Sequence, residues 1–192
     1  VKFNLARGFR APNVAEISSN GVHEGTQHYV YGNNRLKPET SAQADLGLAI
    51  NSKHLSMEIS LFANKIMNYI YLVKLLTKSG YDSVPDLTDP VPAFKYVQNN
   101  ATLFGGECLI DWHPHPLDWM HLKSGFSYVN AQSGLTADSM KYLPFTPGPK
   151  WTLELRTEAK KLSVNLRNFF WKITGDYFFA QKNIFSAYNT ET

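Results

Sequence analysis

Alternation with a period of two residues runs through most of this chain, and it restricts the fold more than any other feature. Side chains on successive residues of a β-strand point to opposite faces, so such a pattern describes strands whose two faces meet different surroundings. Val1 to Phe9 sets Val1, Phe3 and Leu5 against Lys2 and Asn4. Ser41 to Ile50 sets Ala42, Ala44, Leu46, Leu48 and Ile50 against Ser41, Gln43, Asp45, Gly47 and Ala49. After the polar turn Asn51-Ser52-Lys53-His54, Leu55, Met57, Ile59 and Leu61 oppose Ser56, Glu58, Ser60 and Phe62, and the apolar pattern persists through Tyr69-Ile70-Tyr71-Leu72. Further strands are predicted over Phe94 to Trp112, Leu117 to Val129 (Met120, Leu122, Phe126 and Tyr128 on one face), Lys150 to Thr157 and Leu162 to about Ile173. No helical period and no internal repeat emerge. The fold class is all-β, an antiparallel up-and-down meander of about seven strands.

The connections alternate in length. Short polar turns at 51–54, 113–116 and 158–161 take turns with long loops at 10–40, about 77–92, 130–149 and from 178 onward. Short turns at one end and long loops at the other characterise barrels that cross a membrane with strands, whereas a sandwich has comparable connections at both ends. From alternation alone, a soluble extracellular β-sandwich that serves in binding or adhesion stays open as the alternative. No stretch approaches the roughly 18 apolar residues of a membrane helix, which leaves a strand-built span untouched.

Composition narrows the partners. Only 18% of residues are charged and 14% are aromatic, against roughly a quarter charged in soluble domains. Lysine and arginine are scattered and the formal net charge is +3, so a nucleic-acid partner has no electrostatic footprint. Cys108 lies in an apolar stretch and is read as a small hydrophobe. The first residues already form a strand and the last four are turn-like, so both ends are read as cuts through a longer protein.

Two boxes bound the first long loop. Ala6-Arg7-Gly8-Phe9-Arg10-Ala11-Pro12-Asn13-Val14-Ala15-Glu16 resembles the "FRAP" box of TonB-dependent receptors. Gly32-Asn33-Asn34-Arg35-Leu36-Lys37-Pro38-Glu39 resembles their "GNPxLKPE" box, with Asn34 where the family favours proline. Ser60 to Ile70 is similar to the strand that follows in the family. Ala101-Thr102-Leu103-Phe104-Gly105-Gly106-Glu107 resembles its "A-x-x-x-G-x-E" strand, and Leu143-Pro144-Phe145-Thr146-Pro147 its "LPxxP" stretch. The resemblance implies a segment, 1–192, of a large transmembrane β-barrel in the outer membrane of a Gram-negative bacterium, without the plug domain or closing strands. It implies import of a nutrient complex, first a ferric siderophore or other iron complex, with heme, cobalamin and oligosaccharide left open, powered by the TonB complex through the missing N-terminal plug region. Outer-membrane lipid would be a further partner.

The expected ligand-binding residues are Arg10, His23, His28, Tyr29 and Tyr31, in or beside the loop between the boxes. Arg10 could pair with carboxylates in the loop or on the plug, but is read foremost as a strand-end anchor followed by the rigid Pro12, with Glu16 and Glu39 contributing to the rim. In the heme-receptor branch an axial histidine is expected in this loop, where His23 and His28 stand, but histidine is ordinary in polar loops. Tyr29, Tyr31, Tyr69, Tyr71, Tyr81, Tyr142, Tyr177 and Tyr188 are expected at the membrane interface, as are Trp112, Trp119 and Trp171. Glu107 is expected to face the lumen. His113-Pro114-His115-Pro116 reads as turn chemistry; no cofactor, no resident metal and no catalytic set are expected, and the chain is not read as an enzyme.

Overall fold

Each predicted strand forms, and the path is the expected meander. A computed structural model describes residues 1–85, 90–117, 119–135, 137–161 and 167–187. Among the described residues the strands are β1 (Lys2–Arg10), β2 (Asn20–His23), β3 (His28–Tyr31), β4 (Glu39–Asn51), β5 (Leu55–Lys74), β6 (Ala93–Trp112), β7 (Met120–Ser133), β8 (Lys150–Lys161) and β9 (Arg167–Phe178), with a short α-helix, α1 (Val14–Ser18), and a 3-10 turn at Asp138–Met140. They form a single sheet of nine strands in which the main path runs β1-β4-β5-β6-β7-β8-β9, antiparallel throughout. The sandwich alternative fails here: there is one sheet among the described residues, not two facing each other.

Three boundaries differ from expectation. The loop at 10–40 is not structureless, because α1, β2 and β3 fold within it. Residues 158–161 are strand rather than turn, since β8 stays paired to β9 through Lys161↔Arg167. The expected start of the last strand, 162–166, lies outside the described residues, as do Tyr188 and the last four positions. The strand expected from Leu117 starts at Met120 and runs on to Ser133.

Register divides the sheet into an apolar and a polar face. Residues paired across an antiparallel ladder share a face. Phe3↔Leu46↔Leu61, Leu48↔Ile59, Ile50↔Met57, Ile110↔Met57, Phe126↔Trp151↔Tyr177 and Leu155↔Ile173 therefore line one side. The other carries Asn4↔Asp45, Gln43↔Asn64, Ser60↔Glu107↔Ser127, Asp111↔Lys123↔Glu154 and Thr152↔Asp176. Polar groups there satisfy one another across strands: Asn4 Nδ2 donates to Asp45 (3.0 Å), Gln43 Nε2 to Asp45 (2.7 Å), and Thr152 Oγ1 to Asp176 (2.6 Å). Lys150 pairs with Asp176 at 3.2 Å and Lys172 with Glu154 at 3.3 Å. Glu107 lies on this polar face.

The apolar face stays exposed, with Leu61 49% and Ile173 66% accessible. Aromatic rings mark its two limits. Trp112 and Trp171 sit toward the short turns, and Phe126, Trp151, Tyr177 and Phe179 toward the long loops, with Tyr177 and Phe179 at 4.8 Å between centroids. Trp171 to Tyr177 on β9 is a separation of about 20 Å at roughly 3.3 Å per residue, comparable with the apolar band of about 25 Å on outer-membrane barrels.

Two buried clusters sit on the polar face at the long-loop end. β5 and β6 have 20 residues each, twice the roughly 9–11 that cross a bilayer, and their extensions support the loops. Phe185 and Ala187 pack on Tyr71 and Val73, while Leu143, from the "LPxxP" stretch, packs on Ala101 and Ala131. Tyr69 and Tyr71 thus belong to this loop core rather than to the interface girdle, because the bulge between Ile66 and Tyr69 shifts the register of β5. Asn68, at φ 58°, absorbs that bulge, a left-handed conformation that asparagine tolerates better than branched residues.

Gly105 holds β6 and β7 together by what it lacks. A Cβ there would overlap the carbonyl oxygen of Tyr128 and lie 3.0 Å from Val129 Cα, both backbone atoms of the paired strand. On Gly175 a Cβ would meet nothing within 4 Å. Gly105→Val in the full-length receptor is expected to cost about 1–3 kcal/mol or more by overpacking. Gly175→Val should change the urea midpoint little, and equal midpoints for the two variants would refute this account.

Candidate functional site

The long-loop end is organised by Arg10, the last residue of β1. Its Nε and Nη2 donate to Glu39 at 2.9 and 2.8 Å, a two-pronged pairing, and Nη1 donates to both oxygens of Glu16 at 2.9 Å. A planar guanidinium suits this arrangement because its donors are fixed in a fork. Glu39 and Glu16 are buried, and Arg10 is 44% exposed at its side chain. The hydrogen bonds to Glu39 and then Glu16 raise the guanidinium's proton affinity above its ordinary value, so its charge persists at all working pH.

Each carboxylate also fastens backbone. Glu16 is the third residue of α1 and completes a capping box: Glu16 N donates to Asn13 Oδ1 and Asn13 N to Glu16 Oε2, both at 2.8 Å. Glu39 Oε1 accepts from Ile70 N at 2.7 Å, on the length of β5 that β4 does not reach. One arginine thus joins the ends of β1 and β4, the helix and the β5 extension. The anchor role that the sequence favoured for Arg10 is the one this geometry serves.

From α1 the chain makes the hairpin β2–β3 and docks it on a distant strand. Gly32 N and Asn33 N donate to Ser19 O and Glu16 O at 2.6 and 2.8 Å. β3 pairs in parallel with the start of β6, Tyr29↔Ala93 through Tyr31↔Lys95, on the part of the edge that β7 leaves open, since β7 pairing begins at Ala101. The second box returns along the same extensions: Asn33 Nδ2 donates to Tyr96 O (3.2 Å), and Gln98 exchanges hydrogen bonds with both backbone groups of Lys37 (2.7 and 2.6 Å).

The hairpin carries four of the expected ligand residues, the histidines on one face and the tyrosines on the other. His23 and His28 are cross-strand partners in its last pair. The His28 ring stacks on Phe94 at 4.2 Å between centroids, and His23 is exposed. Tyr29 and Tyr31 share the opposite face of β3, with rings 4.9 Å apart and the Tyr29 hydroxyl 3.2 Å from Asn20 Oδ1. Arg10 stands apart as the support beneath them. Sequence reasoning missed Phe94 and Gln98 as parts of this platform, because parallel pairing between residues more than 60 apart leaves no local signal.

Residues 1–191 match the family model described as TonB dependent receptor-like, beta-barrel. The chain belongs to the TonB-dependent receptor family. Its members are transporters rather than enzymes, and as a class they are outer-membrane barrels of Gram-negative bacteria. Transferrin-binding protein A of Haemophilus influenzae is 35% identical over 80 residues, 42% of this chain and 9% of that protein. The copper transporter OprC shares the fold with a TM-score of 0.62 at 16% identity, over 82% of this chain and 21% of its own. The siderophore receptor PirA from Pseudomonas aeruginosa follows at 0.54 and 20% identity, over 91% of this chain and 31% of its own. The chain therefore spans less than a third of each of these proteins.

Proposed function

We propose that this segment forms lumen wall and extracellular loops of a TonB-dependent importer of a ferric siderophore or another iron complex. The reading is carried by one observation, the family match across residues 1–191. It is supported by similar proteins whose names specify transferrin and a siderophore as what they handle. The long-loop end faces the exterior and the short turns face the periplasm, as in outer-membrane barrels generally. The exposed apolar face meets lipid and the polar face meets the lumen. Energy comes from the TonB complex, through an N-terminal plug region that lies outside these 192 residues.

Cargo contact falls to the hairpin. His23, His28, Tyr29 and Tyr31 offer imidazole and phenol groups to a ligand arriving from outside, and Arg10 keeps their platform in place. The test is growth of a strain lacking the full-length gene, with iron supplied only as a ferric siderophore or only as heme. Failure on one source, restored by the gene, identifies the cargo. If heme is that source, His23→Ala with His28→Ala should lower uptake at least about tenfold, since imidazole is the common axial ligand of heme iron. Unchanged growth on every iron source sinks the iron assignment.

A further inference from the structure

At the opposite end of the sheet, three potential metal ligands converge from β6 and β7. Asp111 is the last but one residue of β6, and His113 lies two residues on, so both project to the polar face. The β6–β7 register pairs Asp111 with Lys123 and Trp112 with Leu122. One step further it sets His113 against His121, whose rings are 5.1 Å apart. Asp111, His113 and His121 each place a ligating atom within 4.8 Å of the others.

The hydrogen bonding of this cluster is incomplete in a telling way. His113 Nε2 lies 2.6 Å from the carbonyl oxygen of Lys53. A carbonyl only accepts, so this nitrogen carries the hydrogen and Nδ1 carries the lone pair. Nδ1 is buried without a hydrogen-bond partner. Metal-ligating histidines almost always donate their other ring N–H to a carboxylate, a backbone carbonyl or water, as His113 does to Lys53 O. His121 Nδ1 stands 3.4 Å from Asp111 Oδ1, long for a hydrogen bond. It is, however, the separation of about 3.3 Å that two ligands on a tetrahedral zinc ion keep.

We propose that Asp111, His113 and His121 form a binding site for a divalent transition metal of the zinc class, which clasps the short-turn end of β6 to that of β7. Two imidazoles and one carboxylate match the ligand preferences of such an ion, with the fourth position left to water. The ammonium of Lys123, 3.6 Å from Asp111 Oδ2, competes with the metal for the same carboxylate. The site is separate from the cargo platform and does not depend on which nutrient the receptor carries.

The test uses the full-length receptor purified in detergent, stripped with chelator and equilibrated with Co2+ as a spectroscopic stand-in for Zn2+. One equivalent of Co2+, with visible d–d absorption and displaced by Zn2+, is expected beyond what the His113→Ala/His121→Ala double variant takes up. Each single variant should weaken this equivalent roughly 100-fold, and Lys123→Gln should tighten it roughly three- to tenfold by removing a competing charge. If the double variant fails to fold, judged by heat-modifiable gel mobility, Asp111→Asn decides, because it keeps the shape and removes the charge. Loss of the Co2+ equivalent upholds the site; Co2+ uptake equal to that of the variants overturns it.

Discussion

Arg10→Ala in the full-length receptor is expected to expose residues 11–38 to protease and to depress cargo uptake, while the membrane-spanning strands stay assembled. The guanidinium neutralises Glu16 and Glu39, both buried, at 2.8–2.9 Å. Removing one partner of a buried ion pair costs about 3–5 kcal/mol, because the charge left behind keeps its desolvation penalty. Arg10 is 44% exposed on its side chain, so water screens part of this, and about 2–3 kcal/mol is a fair discount. That loss acts on local opening of the loop rather than on the sheet, and it raises the open population roughly 30- to 150-fold. Trypsin cleavage after Arg35, which Leu36 follows, reads the opening directly.

Two companion variants separate charge from shape. Arg10→Lys keeps the charge, yet an ammonium cannot hold two oxygens of Glu39 while bridging to Glu16, so protection should be only partly restored. Combining Arg10→Ala with Glu16→Gln and Glu39→Gln removes the stranded charges and should slow cleavage relative to Arg10→Ala alone. If Arg10→Ala is cut no faster than the parent, the arginine is not what holds the loop.

These residues show how far the sequence could be read. The seven strands of the main path were legible because alternation is a local signal, repeated over ten residues or more, and because Asn51 to His54 and His113 to Pro116 interrupt it. The interior of the first loop was not. α1 has five residues and β2 and β3 four each, too short for any period to register, and β3 is held by a strand more than 60 residues away. Arg10 in the first box was weighed as a strand-end anchor and Glu16 and Glu39 as rim residues, but their junction at one guanidinium is a tertiary fact. At the other end, His113-Pro114-His115-Pro116 was read as turn chemistry. The register of β6 on β7 instead sets His113 across from His121, with Asp111 beside them.

The face assignment has the sharpest test, since neighbouring residues should respond in opposite ways. Leu61 lies mid-strand on the apolar face, paired with Leu46 and 49% exposed. Leu61→Arg puts a guanidinium into hydrocarbon, at a cost of about 2–4 kcal/mol near the bilayer midplane. Ser60 precedes it on the polar face, opposite Gly47 and Glu107. Ser60→Arg places the same group in the lumen beside a carboxylate, where a cost under about 1 kcal/mol is expected. The two variants have equal composition of charge and differ by one residue of register, so non-specific effects of an added arginine cancel. Folded yield in lipid vesicles, read by heat-modifiable gel mobility across a urea series, should drop for Leu61→Arg alone. Equal losses would mean that both faces are buried in protein, and a drop for Ser60→Arg alone would reverse the orientation of the sheet. Only a sheet with lipid on one side and water on the other separates two adjacent positions in this direction.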